Sequence, residues 1–573
     1  MVSSAAFTRP VHPDQPASLT DLLARRAAEG GVALFDRDRP VTHAALLDEC
    51  ARLAAGLQAL GVSHGDRVAI WLPNVPAWLA CFFACARIGA IALAVNTRFR
   101  SNELADILKR SGAKVLLTWP GYGKIDFSDV LAGCPADALS GLDVIVAYDE
   151  SDGGHIGPGD AAGARARTGQ APAQTRDTPR PDAWASLPPG IPVHRYADLA
   201  GSAAPAPVRG SADDGCAIFT TSGTTKAPKF VLHDQRTLVY HAFDVVSGFD
   251  LDAQSSMLLA PPLCGVFGVC CALAMFAAGR PLLMMPTWDA AQAARMIDAH
   301  GATHMNATDD AIAQLLAQNT RTPAFPTLRF VAYASFNPAL VDIVETSEAR
   351  GLKVVGLYGI SEIQALFARN HAHDPAAQRK LGGGIPVSPL AQVRARDPES
   401  GRLLPHGEAG ELEFFAPGSR MIEYFGNPSA TAEALLDGGW YRSGDLGYTC
   451  ADGRFVFLTR IGDSLRLGGF LVSPQEIEDC VQEVPGIDGC QVVAATIGTA
   501  LRPVAFVRLQ PGAVLDEAAV IAHVGARLAR FKVPVRVFPI DAFPVTEGTN
   551  ATKIQKNRLR DLAQARLDAA PSA

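Results

Sequence analysis

The stretch that decides the fold is CAIFTTSGTTKAPKFV, residues 216–231. Its first four residues are a short apolar run, the pattern of a buried strand. They lead directly into a hydroxyl- and glycine-rich turn that ends at Lys229. Successive backbone N–H groups in such a turn form a concave anion site. Thr221, Ser222, Thr224 and Thr225 add hydroxyl donors, Lys229 adds a positive charge, and Gly223 allows close backbone approach. A solvated surface loop would use similar residues, but it would not follow an apolar strand so directly. The spacing differs from G-x-x-x-x-G-K-[ST], so this is not a Walker A loop.

On both sides of the turn, strand and helix patterns alternate. Residues 44–60, 76–87, 290–300, 309–318 and 338–350 have helical spacing. Residues 66–72, 90–95, 115–118, 144–148, 258–259, 281–285, 330–333 and 353–357 read as strands. Such alternation predicts an α/β fold, with parallel sheets covered by helices. Residues 151–215, rich in Ala, Pro, Gly, Asp and Arg, read as a loop-rich insertion with a brief ordered return at 193–199. From Gly382 short β runs take over, at 411–415 and 455–458 among others. Beyond Gly462 a β/α pattern returns, with a helix at 473–484 capped by Ser473 and started by Pro474. The expected organisation is a large body of parallel-sheet α/β subdomains plus a β-rich subdomain, residues 1–461, and a small mobile α/β domain, residues 462–573.

Composition limits the alternatives. The 573 residues are 48% hydrophobic and 19% charged, which excludes wholesale disorder and supplies a large core. A net charge of -7 argues against a nucleic-acid binder but is silent on a nucleotide site. The eleven cysteines are scattered, several within apolar runs, as buried reduced thiols would be. Residues 1–16 contain no apolar segment of signal-peptide type, and the expectation is a cytoplasmic protein. Two apolar runs, 76–95 and 263–278, read as core and not as membrane spans. The first contains Arg87 and Gly89, and the second is too short.

With these residues in view, the chain resembles the adenylate-forming superfamily of acyl-CoA synthetases, luciferases and peptide-synthetase adenylation domains. The family loop reads TSGTTG-x-PKG; here Lys226 and Phe230 replace two glycines. The resemblance covers nearly the whole chain in the family's order. Residues 61–74 (GVSHGDRVAIWLPN) and 87–99 (RIGAIALAVNTRF) resemble its first blocks. Tyr358-Gly359-Ile360-Ser361-Glu362 resembles YG-x-TE, which implies that Tyr358 stacks on adenine and that Glu362, with Thr225, holds Mg²⁺. Trp440 to Asp445 resembles GW-x-x-TGD, so Asp445 would accept both ribose hydroxyls, assisted by Arg460. Thr552-Lys553-Ile554 resembles the C-terminal GK-I and implies that Lys553 is the catalytic lysine, with Lys556 as the alternative. Gly462 occupies the family's hinge, and Gly468 and Gly469 occupy the loop that lines its pantetheine tunnel.

The chemistry explains these residue types. A carboxylate must attack the α-phosphorus of ATP, although both are anionic. Lysines such as Lys229 and Mg²⁺ relieve that repulsion, and positioning does most of the rest. The resulting acyl-AMP is then attacked by the thiol of CoA. The acyl pocket matches residues 261–270, where Cys264-Gly265 replaces a common aromatic-His pair and widens the space. Phe267, Met305 and Phe336 are the nearby apolar candidates. No acid lies where amino-acid-activating relatives hold an ammonium, so an apolar acid, aliphatic or aromatic, is expected, which places the chain in a setting such as fatty acid metabolism. An adenylate-binding protein without turnover, a luciferase-like oxygenase and transfer to a carrier protein remain alternatives, and a homodimer stays open. Gly462-Asp463-Ser464-Leu465 spells an esterase signature by chance, and His371 and His373 read as a solvated turn.

Overall fold

The apolar run that could pass for a membrane span forms helix Val266–Ala278, in which every residue except Ala278 is buried. A helix apolar on all sides needs cover on all sides. Helix Pro76–Ile88 is similar, with Arg87 alone escaping burial, and Gly89 ends it in the left-handed conformation at φ 75°. In the computed structural model both helices lie between two sheets. The structure describes residues 10, 14–123, 127–149, 187–202, 204–221, 228–337, 340–461, 465–467, 470–472, 474–497, 500–528, 532–547 and 552–569. Among these residues no helix is long and apolar enough to cross a membrane.

Among the described residues one of these sheets has eight strands. Its parallel part runs Gly215–Thr220, Ile91–Ala94, Arg67–Trp71, Val115–Thr118, Val144–Ala147 and Val193–Arg195. Phe230–Asp234 and Glu423–Tyr424 add antiparallel strands beside Gly215–Thr220. The other sheet has thirteen strands among the described residues. Val354–Ile360, Phe330–Ala334, His304–Thr308, Met257–Leu259, Leu282–Met284 and Val32–Asp36 form its parallel part. The β-rich segment, including Gly410–Phe415, Trp440–Thr449 and Phe455–Arg460, extends it antiparallel.

Strand alternation sends side chains of the second sheet to two cores. Met257, Leu259, Phe330 and Ala332 join the cluster between the sheets, together with helix Val266–Ala278. Leu258, Met305, Val331 and Val354 face the opposite cluster, under helices Ala290–His300, Asp309–Leu316 and Ile343–Ala349. The C-terminal residues have their own cores on both faces of the hairpin Ile487–Ile497 and Ala500–Leu509, one around Val492 and Ala505 and one around Val493 and Phe506.

Two expectations change. The helix expected over 338–350 is described as Ile343–Ala349, with Asp342 as its N-cap. The first 42 residues, given no elements at the outset, supply helix Leu19–Glu29 and the hairpin strands Val32–Asp36 and Arg39–Thr42. Most of the expected insertion, the 461/462 boundary and the Ser473 cap lie outside the described residues. The return at 193–199 is a strand followed by helix Tyr196–Ala200, packed on helix His43–Ala59 through the buried Tyr196–Glu49 hydrogen bond.

Candidate active site

The site forms where the second sheet turns from parallel to antiparallel. Strand Val354–Ile360 makes a short 3-10 turn at Ser361–Ile363 and returns as Gln364–Arg369. Gly359 is needed at this hairpin, since a Cβ there would sit 2.5 Å from the Cα of Ala365. The return is strained: Gln364 has φ 67° and Leu366 φ 62°, positions that cost non-glycine residues about 1–3 kcal/mol each. Gln364 is held by its buried amide, which donates to the carbonyls of Thr237 at 3.0 Å and Ser419 at 3.3 Å. Nothing in the sequence marked Gln364, because its role depends on carbonyls from two distant segments.

The turn presents Glu362, buried, whose Oε1 accepts a hydrogen bond from the Tyr424 hydroxyl at 2.7 Å. The Ser361 carbonyl accepts from His233 Nε2 at 2.7 Å, which fixes that nitrogen as the protonated one. Lys229 Nζ lies 4.4 Å from the centre of the Tyr424 ring. Tyr424 therefore joins Lys229 to Glu362. It reaches them because Glu423–Tyr424 pairs with Phe230–Asp234, the strand that follows the loop. Sequence reasoning missed Tyr424. A tyrosine in MIEYF carries no signal until that pairing is known.

Asp445 sits at a pinched point of strand Trp440–Thr449. Gly444 takes φ 71°, and the Ser443 hydroxyl accepts from the Asp445 N–H at 3.0 Å. Asp445 is opposite Arg460 in the antiparallel register, and Arg460 Nε lies 2.9 Å from its Oδ1. The Tyr358 hydroxyl donates to Asp445 Oδ2 at 2.5 Å. Burial, then the nearby Asp445, raises the Tyr358 pKa, so the hydroxyl stays a donor. Burial works against the Arg460 charge, but Asp445, Tyr358 and Glu362 outweigh it and raise its pKa. Tyr358 and Glu362 lie on one strand and the turn that follows it, which brings the Asp445 and Glu362 clusters to the same end of the sheet.

Tyr358, the residue expected to stack on adenine, is 5% exposed. Its ring is stacked against Phe414 at 5.3 Å and meets Phe455 edge-on at 5.2 Å, in the aromatic core of the β-rich segment. From this core its hydroxyl reaches Asp445. Ser222, Gly223, Thr224, Thr225, Gly462, Gly468 and Gly469 lie outside the described residues. The neck of the loop is described: Thr221 N–H donates to the Lys229 carbonyl at 3.0 Å, and Lys229 N–H to the Thr221 hydroxyl at 3.1 Å. The strands on either side, Gly215–Thr220 and Phe230–Asp234, pair antiparallel.

Lys553 lies on strand Thr552–Ile554, paired with Val545–Glu547. Its alternative, Lys556, is engaged elsewhere, with Nζ 2.8 Å from Oε1 of the buried Glu478. For the acid, Cys264 and Phe267 are both buried around the start of helix Val266–Ala278, whose N-cap is Gly265. Asn74 clamps this segment, accepting from Leu263 N–H at 2.7 Å and donating to the Pro261 carbonyl at 3.1 Å. Met305 is not brought to Phe267. It shares the opposite face of the sheet with Leu258, whereas Asn306 points toward that helix, its Nδ2 3.5 Å from Cys271 Sγ. The reason is the two-residue period of the strand.

Residues 23–421 match the family model "AMP-binding enzyme" and residues 476–548 the model "AMP-binding enzyme C-terminal domain". The chain is 29% identical to a feruloyl-CoA synthase of an Amycolatopsis species, over 94% of this chain and 95% of that protein. It is 29% identical to the 3-[(3aS,4S,7aS)-7a-methyl-1,5-dioxo-octahydro-1H-inden-4-yl]propanoyl:CoA ligase of Mycobacterium tuberculosis, over 96% of this chain and 98% of that protein. Its fold is similar to that of ATP-bound MatB from Rhodopseudomonas palustris, with TM-score 0.74, 23% identity and coverage of 95% and 99%.

Proposed function

Because the chain belongs to the AMP-binding enzyme family, we propose that it condenses an apolar carboxylic acid with ATP and passes the acyl group to the thiol of coenzyme A. It is an AMP-forming acid–thiol ligase. The observation that carries the proposal is the convergence of Asp445, Tyr358 and Arg460 with Glu362, Tyr424 and Lys229 at one end of the sheet.

In this reading Asp445 accepts the ribose hydroxyls of ATP, and the Tyr358 hydroxyl fixes its orientation from behind. Arg460, half exposed, moves between Asp445 and the bound nucleotide. The loop at 221–229 receives the phosphates, and Lys229 reaches them from its place over Tyr424. Glu362 offers a hard carboxylate oxygen, the donor type that Mg²⁺ takes, and it would hold the ion with Thr225. When bound, Mg²⁺ supplies charge neutralisation to the triphosphate. Lys553, from the small domain starting at 462, stabilises negative charge as the acid's oxygen attacks the α-phosphorus and pyrophosphate leaves. In the second half-reaction the thiol attacks the acyl carbonyl and AMP departs. Gly462 provides the hinge and Gly468 and Gly469 the thiol's path.

The acid site is proposed beside Cys264, Gly265 and Phe267, and its apolar lining favours an aliphatic or aromatic acid. The test is a panel of such acids with purified protein, ATP and Mg²⁺, read as acid-dependent ATP–pyrophosphate exchange and then as CoA thioester. Exchange with at least one apolar acid is expected. Tight ATP binding without exchange for any acid would favour an adenylate-binding protein instead.

A further inference from the structure

Two helices of the small domain share one core. Helix Pro474–Gln482 turns Ile477, Cys480 and Val481 inward, and helix Glu517–Gly525 turns Val520 and Val524 inward, all into the cluster around Val492 and Ala505. The i, i+3, i+4 spacing of the first set and the i, i+4 spacing of the second give each helix one apolar stripe. At the rim of that core three chemically different donors meet. Cys480, Glu483 and His523 each bring one ligand atom, and these atoms lie within 4.8 Å of one another. Among the described residues it is the one such group of metal-ligating side chains.

Sequence spacing explains part of the arrangement. Cys480 and Glu483 are three residues apart, so they share one side at the end of the first helix. Packing of Val520 and Val524 then sets His523 beside Glu483, with Nε2 3.1 Å from its Oε2. Arg527, one turn further on, reaches the same oxygen, with Nε at 3.2 Å. Cys480 is 6% exposed and the Glu483 side chain 58%, so the group opens to solvent on its carboxylate side. The charges around the sulfur are mostly negative: Glu483, Asp479 and Glu476 against Arg527. Lys532 is occupied by Glu476, at 2.6 Å.

We propose that Cys480, Glu483 and His523 form a binding site for a divalent cation of the zinc type, which ties the two helices together. Thiolate, imidazole and carboxylate are donors that zinc takes, and bonds of about 2.0–2.3 Å set tetrahedral donors about 3.3–3.8 Å apart. The 4.8 Å limit exceeds that spacing by about 1 Å, a movement that rotation of the exposed Glu483 side chain can supply. On binding, Cys480 releases its thiol proton to solvent, His523 keeps its proton on the other ring nitrogen, and Glu483 exchanges Arg527 for the ion. Water takes the fourth position. The sulfur and nitrogen donors select against Mg²⁺, which prefers oxygen, so this site is chemically distinct from Glu362. None of the three residues belongs to the proposed nucleotide or acid site, and the inference stands apart from the acid-activating function.

The test uses the full chain, stripped of metal with a chelator, kept reduced and saturated with Mg²⁺. Zn²⁺ is titrated against a chromophoric chelator, and Co²⁺ is followed by the ultraviolet charge-transfer band that a thiolate ligand gives. The parent should bind one equivalent of either ion, with that band for Co²⁺. Cys480→Ser should abolish the band. His523→Ala and Glu483→Gln should each weaken Zn²⁺ binding by more than about ten-fold, since losing even an outer partner of a metal ligand costs that much. Arg527→Ala removes the competing cation and should tighten Zn²⁺. The ion should raise the melting temperature of the parent and not that of His523→Ala. Cys480 contributes to the core, so circular dichroism checks the fold of its variant, and the two more exposed positions decide the matter if it does not fold. A parent that binds no Zn²⁺ at micromolar concentration overturns the proposal. So does a band that survives in Cys480→Ser, or an affinity unaltered in both His523→Ala and Glu483→Gln. Weaker binding in Arg527→Ala overturns the exchange at Glu483.

Discussion

Asp445→Ala tests the nucleotide reading most directly. The carboxylate is 1% exposed, accepts a hydrogen bond from the Tyr358 hydroxyl at 2.5 Å and is ion-paired with Arg460, whose Nε lies 2.9 Å from Oδ1. Removing it leaves the Tyr358 hydroxyl buried without that acceptor, which should lower stability by about 1–3 kcal/mol. The effect on catalysis should be larger. A hydrogen bond to an ionised acceptor is worth about 1.5–3 kcal/mol, so losing both ribose hydroxyl bonds removes about 3–6 kcal/mol of binding. That is a fall of roughly 10²–10⁴-fold in kcat/KM for ATP. The assay is acid-dependent pyrophosphate exchange with ATP, 2′-deoxy-ATP and 3′-deoxy-ATP, in parent and variant, at temperatures where both are folded. In the parent each missing hydroxyl should be costly. In Asp445→Ala the three nucleotides should perform alike, because the acceptor is already gone. If the variant loses the same further factor with each deoxy nucleotide, the two effects are independent and Asp445 does not hold the ribose.

Three other predictions address separate parts of the molecule. Lys553→Ala should abolish adenylation with little change in melting temperature, whereas Lys556→Ala should keep adenylation but destabilise the small domain by about 3 kcal/mol, because Glu478 is left buried without its cation; inactivity confined to Lys556→Ala would reverse the assignment. Gly359→Ala should disrupt the site, since its Cβ would fall 2.5 Å from the Ala365 backbone; normal thermal melting and normal ATP affinity would show that the hairpin is looser than its geometry indicates. Burial pushes the Glu49 carboxyl up to about 7 from 4.5, against the opposing hydrogen bond from Tyr196. The native state therefore holds this proton more tightly than the unfolded chain, and stability should fall by about 3 kcal/mol as pH rises from 4.5 to 7. Glu49→Gln should remove that part of the slope in denaturant midpoints measured across this range, and an identical slope would refute the linkage. Asp244, also raised to about 7 by burial, contributes a second slope of the same sign.

What the sequence alone determined is local and periodic. The apolar runs at 216–219 and 115–118 had to be buried strands and the run at 263–278 a core element, because alternation and length leave few other ways to cover them. The loop at 221–229, the YGISE turn and the WYRSGD strand were legible, in order, through their resemblance to the family's motifs, and the structure gives two of their glycines a reason: the backbone crowds at Gly359 and turns left-handed at Gly444. The tertiary structure decided which groups meet. The strand Val32–Asp36 joins Leu282–Met284 across some 250 residues, and the hydrophobic effect, having no direction, does not encode that partner. Strand pairing brought Tyr424 under Lys229, and distant carbonyls gave Gln364 its anchors. The same forces packed the Tyr358 ring against Phe414 with its hydroxyl on Asp445, and put Met305 on the far side of its strand. Residue type and spacing specify what a side chain can do, whereas long-range packing specifies which neighbour it does it to.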